Sequence, residues 1–274
     1  MLSDHPPVPN PPEEHAGPAR RLAHAYGPAL LLVAAGLGLW ELLVRVLDVP
    51  DFIWPTPSLI GATLRDEAGL LADHTLVTLG EVALGFLIAL VAGVAIGIAL
   101  HLWRSARRAV YPVLIASQSI PTVVLAPVLV LALGFNIGPK LAIVALFCFF
   151  PIVVATIDGL RGVDPEYARM MLTLDATRLD ILRRVEFPAA LPQIFSGIRI
   201  AATYAAIGAV FGEWAGSDAG LGWELVQAQG RLDTPLVFAT IAVVAALALV
   251  LFGLVVLAER LLVPWARRDD ALPS

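Results

Sequence analysis

The chain has 274 residues, 58% of them hydrophobic and 15% charged, with a formal net charge of −5. Soluble domains carry about 25% charged residues, so this composition excludes an ordinary water-soluble globule. The apolar residues run continuously instead of alternating, which argues against a β-barrel and predicts an all-α polytopic membrane protein.

In chain order, residues 1–25 hold Pro6, Pro7, Pro9, Pro11 and Pro12 and lack the apolar core of a cleavable signal, so a disordered tail is expected. Crossing roughly 30 Å of hydrocarbon takes about 20 apolar residues as helix, and the run near 26–47 is the first to qualify. Residues 48–75 read as a loop with a short surface helix. Pro55 and Pro57 disfavour helix just before them, Ser58 or Thr56 offers an N-cap, the helix is expected to last through about Leu71, and Trp54 suits the interface. Further spans are expected near 76–100, 110–133 and 140–158. Gly85, Gly93 and Gly97 in the second permit close helix packing. Cys148 in the fourth is the sole cysteine and reads as a small packing residue.

Residues 159–192 form the longest polar connection. Asp164-Pro165-Glu166 is a helix start, with Asp as N-cap, Pro at the first helical position and an acid near the positive end of the dipole. Tyr167, Met170, Met171 and Leu174 then recur at helical spacing. The pattern breaks at Asp175-Ala176-Thr177, and Thr177 with Asp180 resembles a capping box for a second helix. Ile181, Leu182 and Val185 make its apolar face, and Pro188 and Pro192 are expected to end it. The loop is therefore a pair of short amphipathic helices. It is either a connector packed on the chain's own helices or a knob that fits a partner's groove. Spans near 193–214 and 235–260 follow, giving about six transmembrane helices. Between them, Gly216, Asp218, Gly220, Gly222 and Trp223 suggest a folded loop with a short re-entrant or interfacial helix. The transmembrane domain is expected over 26–268, with a tail at 269–274.

Basic residues set orientation. With a cytoplasmic N-terminus, the inside segments hold Arg20, Arg21, Arg104, Arg107, Arg108, Arg161, Arg169, Arg178, Arg183, Arg184, Arg260, Arg267 and Arg268. The outside segments hold Arg45, Arg65, Lys140 and Arg231; Arg199 lies within the fifth span. The chain is thus expected in the cytoplasmic membrane, with both termini on the cytoplasmic side.

Lys140, the only lysine, is flanked by Pro139 and Leu141, so no Gly-Lys-Ser/Thr phosphate cradle exists. His5, His15, His24, His74 and His101 match no metal spacing. No catalytic residue, cofactor site or metal site is expected in this chain. Glu41, Glu81, Glu213 and Glu259 lie toward span ends and read first as helix-pair polar contacts, since charge is costly at membrane depth. Glu81 and Glu213 are the candidates for an outer gate or a binding-protein contact. Gln118, Ser119, Thr122, Thr203 and Tyr204 either line a polar pathway or hydrogen-bond between helices.

The cytoplasmic loop carries a family resemblance. Asp175-Ala176-Thr177 followed by Glu186-Phe187-Pro188-Ala189-Ala190-Leu191-Pro192 resembles the signature of binding-protein-dependent ABC importer permeases. Phe52-Ile53-Trp54-Pro55-Thr56-Pro57-Ser58 is similar to an outer-loop motif of the nitrate/sulfonate/taurine branch. Gln118-Ser119-Ile120-Pro121, Gly159-Leu160-Arg161-Gly162-Val163-Asp164-Pro165, Gly212-Glu213-Trp214 and Leu232-Asp233-Thr234-Pro235 extend the likeness, which is nearest to permeases for thiamine-precursor pyrimidines or riboflavin-type compounds. The resemblance implies a type I ABC importer transmembrane domain. It implies docking of an ATP-binding cassette ATPase on Glu166, Tyr167, Arg169, Met170, Met171, Leu174, Asp175, Ala176, Thr177, Ile181 and Leu182.

It further implies an extracytoplasmic substrate-binding protein, a second permease copy as a homodimer, and ATP and Mg on the ATPase. The chain is embedded in lipid and no nucleic-acid partner is expected. Three positions depart from the family pattern: Asp175 stands for Gly, and Arg169 and Met171 for Glu and Ala. Asp tolerates a left-handed backbone, so the turn is expected to persist, and Glu166 stands one turn before Arg169 as a substitute acid. An ion-coupled secondary transporter and a non-transport membrane assembly protein are the alternatives. The first needs a charged site at mid-membrane, and the second predicts no ATPase partner.

Overall fold

The computed structural model describes residues 18–267. The terminal tails expected before Pro18 and at 269–274 lie outside the described residues, as does Arg268. The chain divides into two compact units, 1–58 and 59–274. The first holds α1 (Pro18–Val46), whose helix begins inside the stretch expected as tail. Glu41 near its end accepts from Arg45 Nε at 2.7 Å, from Ser58 N at 3.0 Å and from Ser58 Oγ at 2.7 Å. The Glu41 carboxylate thus holds Ser58 in the first turn of α2 (Pro57–Asp66). Leu71, expected in that surface helix, belongs to the next one. α2 ends at Asp66 and α3 (Ala68–Leu102) begins almost at once.

In the second unit the long helices are α3, α6 (Ile137–Arg161), α9 (Phe187–Gly216) and α11 (Thr234–Leu262). α6 lies between α3 and α9. Without a hydrophobic force between helices in lipid, close packing of small residues has to hold such a bundle. Along α3, Gly85 faces Val144, Gly93 faces Ile152 and Gly97 faces Thr156, so the glycine stripe is the seam with α6. On the other side Gly197 meets Ala155 and the Pro151 carbonyl, and Ala201, Ala202, Ala205, Ala206 and Ala209 are fully buried. Cys148 sits in this core with its thiol 3.3 Å from the Ala201 carbonyl.

Two expected boundaries are corrected. The run 110–133 is not one straight span: α4 (Arg104–Ser117) and α5 (Thr122–Leu133) meet at a bend of 98°. Pro121 lacks an N–H and disfavours helix at Ile120, so 118–121 turns through short bonds such as Ile120 N to Ser117 O at 3.2 Å. The second correction concerns Pro188 and Pro192, which do not end a helix. Helix continues from α8 (Arg178–Ile181) through a π-helical turn at Leu182–Glu186 into α9. Phe187 N bonds Leu182 O, five residues back. That widened turn makes room for the Pro188 ring, which would otherwise meet the preceding carbonyls.

Candidate functional site: a capped hairpin, a cleft and a buried polar network

α7 (Pro165–Thr173) and α8 make the hairpin at one end of the bundle. Asp164 accepts from Glu166 N at 2.8 Å, as the Asp-Pro-Glu start predicts. α7 closes with Ala176 N on Met171 O at 3.2 Å, and Asp175 adopts φ 56°. Thr177 and Asp180 form a reciprocal capping box, with Thr177 N to Asp180 Oδ2 at 3.1 Å and Asp180 N to Thr177 Oγ1 at 3.2 Å. The turn satisfies its own backbone, so its shape does not depend on a partner.

Its side chains divide sharply. Tyr167, Met170 and Leu174 are exposed, with Glu166, Arg169, Asp175 and Thr177 beside them; Met171 and Ala176 are half-buried. Ile181 and Leu182 are buried against the chain's own core and are not part of the free surface. Leu172 and Leu179 are exposed instead. Sequence reasoning missed them because helical spacing defines a face but not which side the bundle takes. At the root of the hairpin, Glu186 accepts from Arg178 Nη1 at 2.7 Å and lies 3.0 Å from His101 Nε2.

A cleft of ≈ 510 Å³ opens along α6 and α9. Gln118 and Thr122, from the α4–α5 bend, line it together with Tyr204. Non-helical backbone at membrane depth is tolerated where it lines such a cavity, which accounts for the bend's position. Ser119 and Thr203 do not line it, and Thr203 Oγ1 donates to its own helix at Ile200 O, 2.7 Å away. Asp158, Gln193 and Ser196 were not expected there. The spacing of Gln193, Ser196, Ile200 and Tyr204 along one face of α9 is the signal that could have found them. Asp158 and Gln193 also line a second cavity of ≈ 490 Å³ that reaches Asp164 and Tyr167 of the hairpin.

At the opposite end, α10 (Leu221–Gly230) folds back over α3 and α9. Thr78 Oγ1 donates to Glu213 at 2.6 Å and accepts from Leu221 N at 2.8 Å, while Gly222 N donates to Glu213. Lys140 Nζ donates to Glu81 at 2.9 Å and to Ser217 Oγ at 2.6 Å. His74 Nδ1 accepts from Gly220 N at 3.0 Å, its ring packs on Trp223, and its Nε2 faces Glu224. Gly220 has φ 110°, and a Cβ there would collide with the Glu213 carboxylate. Neither Glu81 nor Glu213 is exposed. Glu259 pairs with Arg199 at 3.0 Å, the helix-pair contact that membrane burial favours.

A helical bundle with one sharply bent span, a cleft between its long helices and a self-capped polar hairpin fits the membrane-spanning subunit of a transporter. The chain belongs to the family of binding-protein-dependent transport system inner membrane components, which it matches over residues 85–267. It is 33% identical to the formylaminopyrimidine transport permease protein ThiX of Halalkalibacterium halodurans, over 91% of this chain and 100% of that one. It is 38% identical to the riboflavin transport system permease protein RibX of Chloroflexus aurantiacus, over 82% of this chain and 85% of the relative. Its fold matches a chain of the MetNI methionine ABC transporter in inward-facing conformations, with a TM-score of 0.63 at 17% identity, covering 72% of this chain and 98% of that one. The chain is therefore a multi-pass permease subunit of an ABC importer, a transport component and not an enzyme. The secondary-transporter and assembly-protein alternatives fall away.

Proposed function

We propose that this permease lies in the cytoplasmic membrane with both termini inside and docks a separate ATPase on the α7–α8 hairpin. The observation that carries this is the hairpin itself. Its caps are complete without a partner, yet Tyr167, Met170 and Leu174 stand exposed among charged neighbours. Lipid does not cover such a mixed surface, whereas a protein groove can. ATP and Mg sit on the ATPase. A second permease copy completes the pathway, and an extracytoplasmic binding protein delivers the solute. Glu81 and Glu213 act behind the surface of the outer end, holding the α9–α10 turn against which a gate moves.

The cleft favours a planar, uncharged heterocycle over a sulfonate as cargo. Phe147, Phe150 and Tyr204 supply aromatic faces, Gln118, Gln193 and Ser196 supply hydrogen-bonding groups, and the one charged lining residue is Asp158. An anion would meet that carboxylate with no lysine or arginine to offset it. The test is ATP-driven uptake into proteoliposomes holding the permease, its ATPase and its binding protein. Uptake of riboflavin or formylaminopyrimidine is expected, with none of ethanesulfonate. Uptake of ethanesulfonate alone contradicts the substrate class, and failure of any ATPase to co-purify contradicts the docking reading.

A further inference from the structure

A third cavity lies under the hairpin, away from the cleft. Its volume is ≈ 240 Å³, and it is walled by the end of α3, the start of α4, the end of α6 and the first turn of α7. Its charged lining is unbalanced. Two acids reach it, and both are already engaged. Asp164 caps α7 at 2.8 Å, and Glu186 is held by Arg178. Of the basic residues, Arg104, Arg107 and Arg161 make no ion pair or side-chain hydrogen bond among the described residues.

His101 adds a second observation. It is 8% exposed and lines the same cavity, and its Nδ1 is buried with no hydrogen-bond partner. Its Nε2 lies 3.0 Å from Arg178 Nη2. A guanidinium can only donate, so an Nε2 that accepts from Arg178 leaves the ring hydrogen on Nδ1. The protonated ring carries a hydrogen there as well. A buried N–H without an acceptor is costly. The first turn of α4 points the same way. Trp103 gives it no side-chain cap, so its leading N–H groups and positive dipole end are open beside Arg104.

From this convergence we propose that the cavity under the hairpin binds a phosphate group, held by Arg104, Arg107 and Arg161 with His101 behind them. Free guanidinium forks and an uncapped helix start call for a multivalent oxyanion, and guanidinium pairs with phosphate in a bidentate manner. An anionic lipid headgroup and free inorganic phosphate share that chemistry. The basic end of a bundle at the cytoplasmic surface is where anionic headgroups gather. Because α7 forms one wall, occupancy braces the docking hairpin against α3, α4 and α6.

The experiment uses the full-length permease in two arms. In the first, protein taken from phosphatidylglycerol nanodiscs is examined by native mass spectrometry for retained lipid. In the second, delipidated protein is titrated with inorganic phosphate, with chloride at matched ionic strength as control. The wild type is expected to bind one of the probes at least tenfold better than the Arg104→Gln/Arg107→Gln/Arg161→Gln variant. The corresponding triple lysine variant is expected to keep part of the binding. Phosphatidylglycerol retention identifies a lipid headgroup, and phosphate binding without lipid retention identifies a free anion. Binding of neither probe by the wild type, or equal binding by the folded glutamine variant, overturns the proposal. Should the triple variant not fold, Arg107→Gln alone carries the same comparison.

Discussion

The two ends of this bundle are both rich in polar residues and handle them in opposite ways. At the α9–α10 end, Thr78, Glu81, Lys140 and Glu213 are buried and bonded to one another or to neighbouring groups of the chain, and buried Glu224 pairs with Arg231. At the hairpin end, the backbone is capped locally while Tyr167, Met170, Leu172 and Leu174 face outward. A network whose groups find partners inside the chain stabilises the chain that contains it. A capped element with unburied apolar side chains is stable in shape but incomplete in packing. Polarity alone therefore does not distinguish structure from interface; the distinction lies in where each group finds its partner.

The largest effect should come from the buried end. Lys140→Ala leaves the Glu81 carboxylate buried opposite nothing, and breaking a buried pair by removing one partner costs about 3–5 kcal/mol. A fall in the melting midpoint of the purified permease is the readout. The double variant Lys140→Met/Glu81→Gln should recover most of that loss, since it removes the stranded charge as well. A Lys140→Ala protein as stable as wild type would mean that the pair is not buried as described.

At the hairpin the effects on stability should be smaller. Thr177→Ala removes one half of the capping box and should destabilise by about 1 kcal/mol, seen as faster amide exchange in α8 with little change in the melting midpoint of the bundle. Unchanged exchange there would contradict the box. The smallest effect is expected at Asp175. Its φ of 56° is strained for a residue with a Cβ, so Asp175→Gly relieves strain while loosening the unfolded chain, for a net gain of up to about 1 kcal/mol. A clear loss on that substitution would show that the Asp175 side chain makes a contact of its own.

Much of this architecture is legible from residue order because its causes are local or periodic. Long apolar runs mark the spans, Asp164-Pro165-Glu166 and Thr177 with Asp180 mark the caps, and Gly85, Gly93 and Gly97 mark a packing seam. What escapes has causes that are not local. The bend at 118–121 hides because the short polar stretch Ser117-Gln118-Ser119 lies between longer apolar runs, so averaged hydropathy carries on through it. The helix across Pro188 depends on a π-helical turn that no spacing rule anticipates. Ile181 and Leu182 have the same helical period as partner-facing residues, and only the bundle packed behind them decides that they are core. Lys140 reads as a lone loop cation until α3 brings Glu81 to it across the fold. Asp158 and Gln193 sit on different helices, and they meet because Gly159 lets α9 come close enough that a Cβ there would lie 3.1 Å from Gln193 Cβ.

In the proposed function the hairpin docks the ATPase and the opposite end does not. The most direct test is co-purification of the co-expressed ATPase with Tyr167→Asp/Met170→Asp, set beside Glu213→Gln at the other end. The hairpin variant should keep the wild-type melting midpoint and lose the ATPase. Glu213→Gln should lower the midpoint, while whatever folded protein remains retains the ATPase. An ATPase that stays bound to the hairpin variant, or that is lost from folded Glu213→Gln alone, would contradict the account.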